Sequence, residues 1–367
     1  MAQTQRYDWA DFMRGIMMFL VILYHSEVYY GPGHTWSWIF QPFFLSGFFF
    51  VSGYLFTKDL TKVDFHSKLK QVFRAIIVPY FIFTTALAFL KILMGYANVQ
   101  QILIDVIMLR ASWFVIAIAV MQLLYASILI IKSSVINIIV TTSIMFLIGY
   151  AFVVMYRDCP QWLVDNPWLH SKDLPNRMPL CFNLALIQSP FFAFGILFRH
   201  FENRNPISMA IIAGGEGGGI KYLIISTLSY IILYIWIDHV YIGSSMCVAI
   251  DDYNNILLIF LIGLIGIWAL MCISNKIQNW RVVNYIGRHS ILFYFLNGGA
   301  LTFVSPVMKQ LAFMDSSSYF NQFVVAVIAT VLMFPCVWFI NNHLSILTGD
   351  KDSFNKLSKK LGLKIQW

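Results

Sequence analysis

Residues 7–27, from Tyr7 to Glu27, read YDWADFMRGIMMFLVILYHSE. Ile16 to Leu23 is an unbroken apolar run, with Asp8, Asp11 and Arg14 ahead of it and His25 and Glu27 behind it. A bilayer-crossing helix needs about 20 mostly apolar residues, and the stretch 12–30 is long enough to be one. An ionisable group inside such a span costs about 2.5–3.5 kcal/mol, so it marks function by default. Arg14 and His25 are eleven residues apart. At about 100° and 1.5 Å per residue they fall within roughly 20° of one helical face, about 16 Å apart along it. Asp11 precedes Arg14 by one turn, the spacing at which a carboxylate and a guanidinium pair. Glu27 lies roughly 200° round the helix from His25, a poor position for orienting the imidazole. One stripe thus joins a cation near one membrane face to an imidazole towards the other, a line along which a reaction can cross the bilayer. The plainer reading makes Arg14 a topology anchor and His25 a satisfied core histidine. The residues alone leave both open.

The rest of the chain places this helix among others. Of 367 residues, 59% are hydrophobic, 17% aromatic and only 11% charged. Soluble domains carry about a quarter charged residues, and the mean hydropathy is +0.72. Too little polar surface exists to wet a globule of this size, which excludes a soluble enzyme, a disordered chain and a small disulfide scaffold. The five cysteines show neither CxxC nor Cys/His ligand spacing, so no metal site is expected. Cys159, Cys181 and Cys247 fall on the external side of the topology below, with no spacing that selects a pair. The first apolar stretch contains Arg14 and His25 and lacks a small-residue cleavage site, unlike a signal peptide.

Ten spans are expected, near 12–30, 38–56, 75–94, 113–131, 135–155, 181–198, 220–237, 256–274, 289–307 and 321–340. With the N-terminus inside, 19 of the 25 Lys and Arg residues lie on the cytoplasmic side and 6 outside. Basic residues favour the cytoplasmic side, so both termini are placed there. The net charge of +8 then reflects topology and anionic lipid rather than nucleic acid. The expected division is a transmembrane domain over 1–345 and a basic cytoplasmic tail over 346–367. The external connector 156–180, with Trp162, Trp168, His170 and Pro160, Pro167, Pro175 and Pro179, is long enough to cover a site on the outer face. The internal connector 199–221 carries Gly214-Gly215-Glu216-Gly217-Gly218-Gly219, where Glu216 would repel a phosphate, so a hinge is expected rather than an anion nest.

The ordered set of motifs resembles the acyltransferase-3 family of integral membrane acyltransferases. Arg14 and His25, preceded by Asp11, match its first-helix Arg-x10-His signature. Phe48-Phe49-Phe50-Val51-Ser52-Gly53-Tyr54-Leu55-Phe56 resembles its second-helix segment. Lys68, Lys70 and Arg74 ahead of Pro79-Tyr80 resemble the basic run before the third helix, and Ser112-Trp113-Phe114 its WF element. Tyr285-Ile286-Gly287-Arg288-His289-Ser290-Ile291-Leu292-Phe293-Tyr294 resembles a late segment that often ends in His, where this chain has Asn297. The FHMP tetrapeptide of sugar O-acetylase members is replaced by Phe43-Phe44-Leu45-Ser46. Both departures bear on which acceptor is bound.

The resemblance implies an all-helical, multi-pass enzyme of the cytoplasmic (inner) membrane. It would move an acyl group, usually acetyl, from cytoplasmic acyl-CoA to a hydroxyl of a cell-surface glycan or a lipid-linked sugar. No permanently bound cofactor is implied, acyl-CoA being the donor substrate. His25 is the expected catalytic residue, as general base or as acyl-carrying nucleophile. Asp11, Arg14, Glu27 and Trp113 are expected to support it. Arg14, Lys70 and Arg74 would hold the polyanionic coenzyme, though positive-inside topology explains the loop lysines equally well. Trp113 also fits an interfacial aromatic belt, and Ser52-Gly53-Tyr54 tight helix packing. The competing reading is a transporter or flippase of a glycan or lipid-linked intermediate, which would show paired broken helices near the midplane. A structural subunit of an envelope-synthesis complex would leave Arg14 and His25 unexplained.

Overall fold

The computed structural model describes all residues except 1–6, 34–35, 59, 61–62, 94, 96–97, 216–219, 241–255, 312 and 363–367, and residues 238–240 by backbone alone. Lys62, Cys247 and most of the glycine run therefore lie outside the described residues. Among the described residues there are helices and no strand. In chain order the principal helices are α1 (Asp8–Tyr29), α2 (Phe44–Tyr54), α3 (Phe65–Leu93), α4 (Trp113–Ile131), α5 (Val135–Asp158), α6 (Ser189–Arg204), α7 (Lys221–Val240), α8 (Ile256–Ile277), α9 (Arg281–Arg288), α10 (Ser290–Lys309), α11 (Tyr319–His343) and α12 (Lys351–Lys360). Short polar side chains cap several N-termini and satisfy amides that the helix leaves orphaned. Asp64 accepts from His66 N at 3.1 Å, Ser134 from Asn137 N at 3.2 Å and Asp350 from Ser353 N at 2.8 Å.

Among the described residues, six helices are long and apolar enough to cross a membrane: α3, α4, α5, α8, α10 and α11. Pro179–Ile187 and α6 form a seventh candidate, bent by 60° at Gln188. The expected spans at 12–30 and 38–56 are helical but fall short of that test, and the span at 220–237 is helical within α7, whose described side chains end at Ile237. α1 carries Asp8, Asp11, Arg14 and Glu27 within 22 residues. The second span divides into Ser37–Phe40 and the 11-residue α2. Eleven residues rise only about 16 Å, roughly half a hydrocarbon core.

The chain divides into two compact units. The first comprises residues 1–55 and 194–333. Its axis is α1, which packs against α2, α8, α9 and α10 and buries Trp9, Phe12, Met13, Met17, Val21 and Ile22 among others. The approach to α9 is so close that a Cβ on Gly287 would stand 1.7 Å from the Asp11 carbonyl oxygen, and one on Gly15 2.1 Å from that of Val283. Small residues at a crossing let two backbones meet in this way. Protein on nearly every side explains why α1 tolerates charges that lipid would reject.

The second unit comprises residues 56–193 and 334–367. Here Tyr125, fully buried on α4, places its hydroxyl 2.7 Å from Thr142 Oγ1 and donates to Ser189 O at 3.0 Å, while its ring stacks on Phe192. α3 begins as an α-helix, passes through a π-helical turn at Phe73–Ile77, and continues as an α-helix. The 349–360 segment returns to this turn. Gly349, at φ +73°, sits where a Cβ would meet Arg74 O at 2.4 Å, so the left-handed backbone and the close approach both call for glycine.

Candidate functional site

Asp11 is the hub at the N-terminal end of α1. Its buried carboxylate accepts from Arg14 one turn later, and from Arg288 Nε at 3.2 Å. Arg288 Nη2 reaches Asp8 at 3.3 Å. Two guanidiniums thus converge on one buried carboxylate, which fixes both cations. Arg14 keeps part of its side chain exposed, and its Nε is buried without a hydrogen-bond partner among the described residues. A buried donor left open is costly unless something occupies it, and an anionic or carbonyl oxygen is the natural partner.

A second ionic cluster lies in the same unit. Arg199, buried on α6, donates from Nη1 to Tyr54 Oη and to Glu202 Oε2, both at 2.7 Å, and from Nη2 to Tyr7 Oη. The Tyr54 hydroxyl donates in turn to Glu202 at 2.7 Å. The guanidinium lies 4.5 Å from the centre of the Tyr7 ring and 5.0 Å from that of Tyr54, within cation–π range. Trp9 packs edge-on to Tyr54. In the sequence, Arg199 counted only as an internal basic residue. Its i,i+3 spacing to Glu202 was the available signal.

At the C-terminal end of α1, His25 is half-buried, its ring 5.3 Å from that of Tyr24 and 6.5 Å from that of Tyr29. Glu27 is fully buried, and its Oε1 accepts the backbone N–H groups of Trp36 at 2.7 Å and Ser37 at 2.9 Å. This carboxylate caps the helical turn Ser37–Phe40 and ties down the loop after α1. Neighbouring bonds stiffen the same end. Tyr30 Oη donates to Met314 O at 2.7 Å, Trp36 Nε1 to Tyr319 O at 2.9 Å, and Ser26 Oγ lies 3.0 Å from Gln322 O. Asn297 is buried on α10 and donates to Tyr294 O within its own helix.

The remaining sequence-derived residues belong to the second unit. Lys70 is exposed on α3. Arg74 sits in the π turn and donates from Nη1 to Gly349 O, while its Nε is buried without a hydrogen-bond partner among the described residues. Trp113 is the first residue of α4, half-buried, with its ring edge-on to Phe114.

The 156–180 connector forms a fixed wall. Fully buried Arg110 pairs with Asp105 at 2.8 Å and donates to Pro167 O at 3.0 Å. Ser171 Oγ donates to Asp105 at 2.9 Å, and Arg177 Nη1 to Arg110 O at 3.1 Å. A buried ion pair recovers its desolvation cost only with such supporting bonds. His170, also in this connector, is buried with neither ring nitrogen hydrogen-bonded among the described residues. Burial, reinforced by the Arg110 charge, holds its imidazole below the ordinary 6.5. Cys159 and Cys181 are free thiols. Among the described residues, no group of His, Cys, Asp and Glu could hold a metal ion.

A family model described as an acyltransferase domain matches residues 7–342. No curated protein and no solved structure matches the chain.

Proposed function

The chain belongs to the acyltransferase-3 family of membrane acyltransferases, and from that premise we propose an O-acyltransferase that works across the bilayer. The donor is cytoplasmic acyl-CoA, with acetyl as the group transferred, and the acceptor is a hydroxyl of a cell-surface glycan or its lipid-linked precursor. Both termini are cytoplasmic, the chain crosses the inner membrane ten times, and residues 346–367 form a basic tail.

The observation that carries this reading is the division of labour along α1. Arg14 is fixed by Asp11 at one end and keeps an unpartnered buried Nε. His25 stands eleven residues on, about three turns away on the same face. Arg14 would bind a phosphate or thioester oxygen of the donor, with Lys70 and Arg74 as further cations for the coenzyme's phosphates. An imidazole with an ordinary pKa near 6.5 is suited to proton transfer at neutral pH. His25 would take the proton of the acceptor hydroxyl as its oxygen attacks the thioester carbonyl, expelling the coenzyme thiolate. Alternatively it would carry the acyl group as an acyl-imidazole before the hydroxyl attacks. Rapidly denaturing the enzyme at neutral pH with labelled donor and no acceptor separates the routes, because only the second leaves acid-labile label on His25.

The transporter reading called for paired broken helices. Among the described residues one bent pair occurs, at Gln188, and enzyme-family membership favours transfer over transport. Membranes containing this protein, given radiolabelled acetyl-CoA and envelope glycan, are expected to incorporate label into the glycan. Incorporation no greater than in protein-free membranes would defeat the proposal.

A further inference from the structure

The second unit contains a cavity of about 230 Å³ that the acyl-transfer scheme does not use. Thr84, Leu87, Ala88 and Lys91 form one wall, at the i, i+3, i+4, i+7 spacing of a single face of α3. Asp105 from the short helix Val99–Ile107 and Ser112 just before α4 supply the second wall. Asp173 and Leu174 from the clamped connector close the third. Pockets for drug-sized ligands span roughly 300–1,000 Å³, so this one suits a single small ring. The wall is held in place by Ser171, whose Oγ also accepts the Leu174 N–H at 3.2 Å.

The polar groups define the chemistry of the guest. Thr84 Oγ1 and Ser112 Oγ lie 2.9 Å apart. Two hydroxyls sharing one bond still hold one O–H and several lone pairs for a ligand. Asp105 is already engaged by Arg110, Gln101 and Ser171. At the exposed rim stand Lys91, which only donates, and Asp173, which only accepts. An anionic guest would meet Asp173 and a cationic guest Lys91, each a like charge. A group that both donates and accepts, without net charge, satisfies all of them. Ala88 and Ala111 leave flat apolar surface between the polar positions.

We infer that this cavity binds one neutral, hydroxyl-rich ring, such as an uncharged sugar residue, through Lys91, Asp173 and the Thr84–Ser112 hydroxyl pair. The inference goes beyond the acyl-transfer reading, because it assigns a sugar site to the second unit by itself. Its test uses no acyl donor, so failure of binding and failure of transfer are separate results.

Purified full-length protein in detergent would be examined by saturation-transfer NMR with methyl glycosides of glucose, galactose, mannose and N-acetylglucosamine, alongside galacturonate and glucosamine. At least one neutral glycoside should bind with a dissociation constant on the order of 1 mM, more tightly than either charged sugar. Ala88→Leu fills the floor and should abolish the signal. Lys91→Met, at the exposed rim and close in shape, should weaken binding by about fivefold or more with an unchanged melting temperature. Three outcomes would each overturn the inference: no neutral ring binds, a charged sugar binds better than the neutral ones, or Lys91→Met binds as wild type does.

Discussion

Asp11 shows how a single residue can organise a membrane helix. It receives both Arg14 and Arg288, so Asp11→Ala leaves two partly buried guanidiniums without their shared acceptor. Bonds to charged groups contribute about 1.5–3 kcal/mol each, and a loss of that size is expected in reversible unfolding of the detergent-solubilised protein. A variant as stable as wild type would remove Asp11 from the role of anchor. Glu27 makes a different prediction from the one its closeness to His25 in sequence invites. Its Oε1 holds the amides of Trp36 and Ser37, a task that a glutamine carbonyl performs in part. Glu27→Gln should therefore keep most of the transfer activity and the wild-type pH profile, while Glu27→Ala loses stability by about 1–3 kcal/mol. A changed pH profile in Glu27→Gln would instead mean that Glu27 tunes the imidazole. The Arg14–His25 stripe was legible because helical periodicity fixes it. Arg288 was not, because its partners Asp8 and Asp11 are far away in sequence, and Arg199 offered only its i,i+3 spacing to Glu202, since Tyr7 and Tyr54 are equally distant.

At the scale of elements, the crossing of α1 and α9 depends on two missing side chains. Gly287→Ala would drive a methyl group into the Asp11 carbonyl, and overpacking of this kind costs about 1–3 kcal/mol. Since the same contact places Arg288 beside Asp11, the substitution should also impair donor binding, read as a raised KM for acyl-CoA. An unchanged KM in a folded Gly287→Ala protein would uncouple the crossing from the site. The connector carries its own pH dependence. The folded-state pKa of His170 lies below the unfolded value near 6.5. Its contribution to stability is therefore complete above that value and is lost as the pH falls through the lower folded-state pKa. His170→Phe should flatten the acid limb of a stability–pH curve, and an acid limb of unchanged steepness would assign it to other groups. Apolar runs located every long helix. The break at Gln188, the π turn around Arg74 and the division of the second expected span arise from packing and tight backbone approaches, which a hydropathy pattern does not encode.

On the scale of the whole molecule, six or seven helices among the described residues qualify as spans by length and composition, while the apolar runs of the sequence give ten. The difference comes from α1 and α2, and from α7, whose described side chains end at Ile237. In α1 Asp11 and Glu27 are buried within a helix that packs against α2, α8, α9 and α10. The ten-span topology predicts that a cysteine placed in the 156–180 connector reacts with an impermeant maleimide added to intact cells, whereas one placed after α12 does not. The reverse pattern would invert the orientation derived from the basic residues.

The central claim is that His25 performs the chemistry on a helix whose other end anchors the donor. The most direct measurement is transfer of radiolabelled acetyl from acetyl-CoA into envelope glycans, comparing membranes that contain equal amounts of wild-type protein or His25→Ala. Label that appears with wild type and falls to background with His25→Ala is the result predicted. Undiminished label in His25→Ala would contradict the account and move the reaction away from this imidazole.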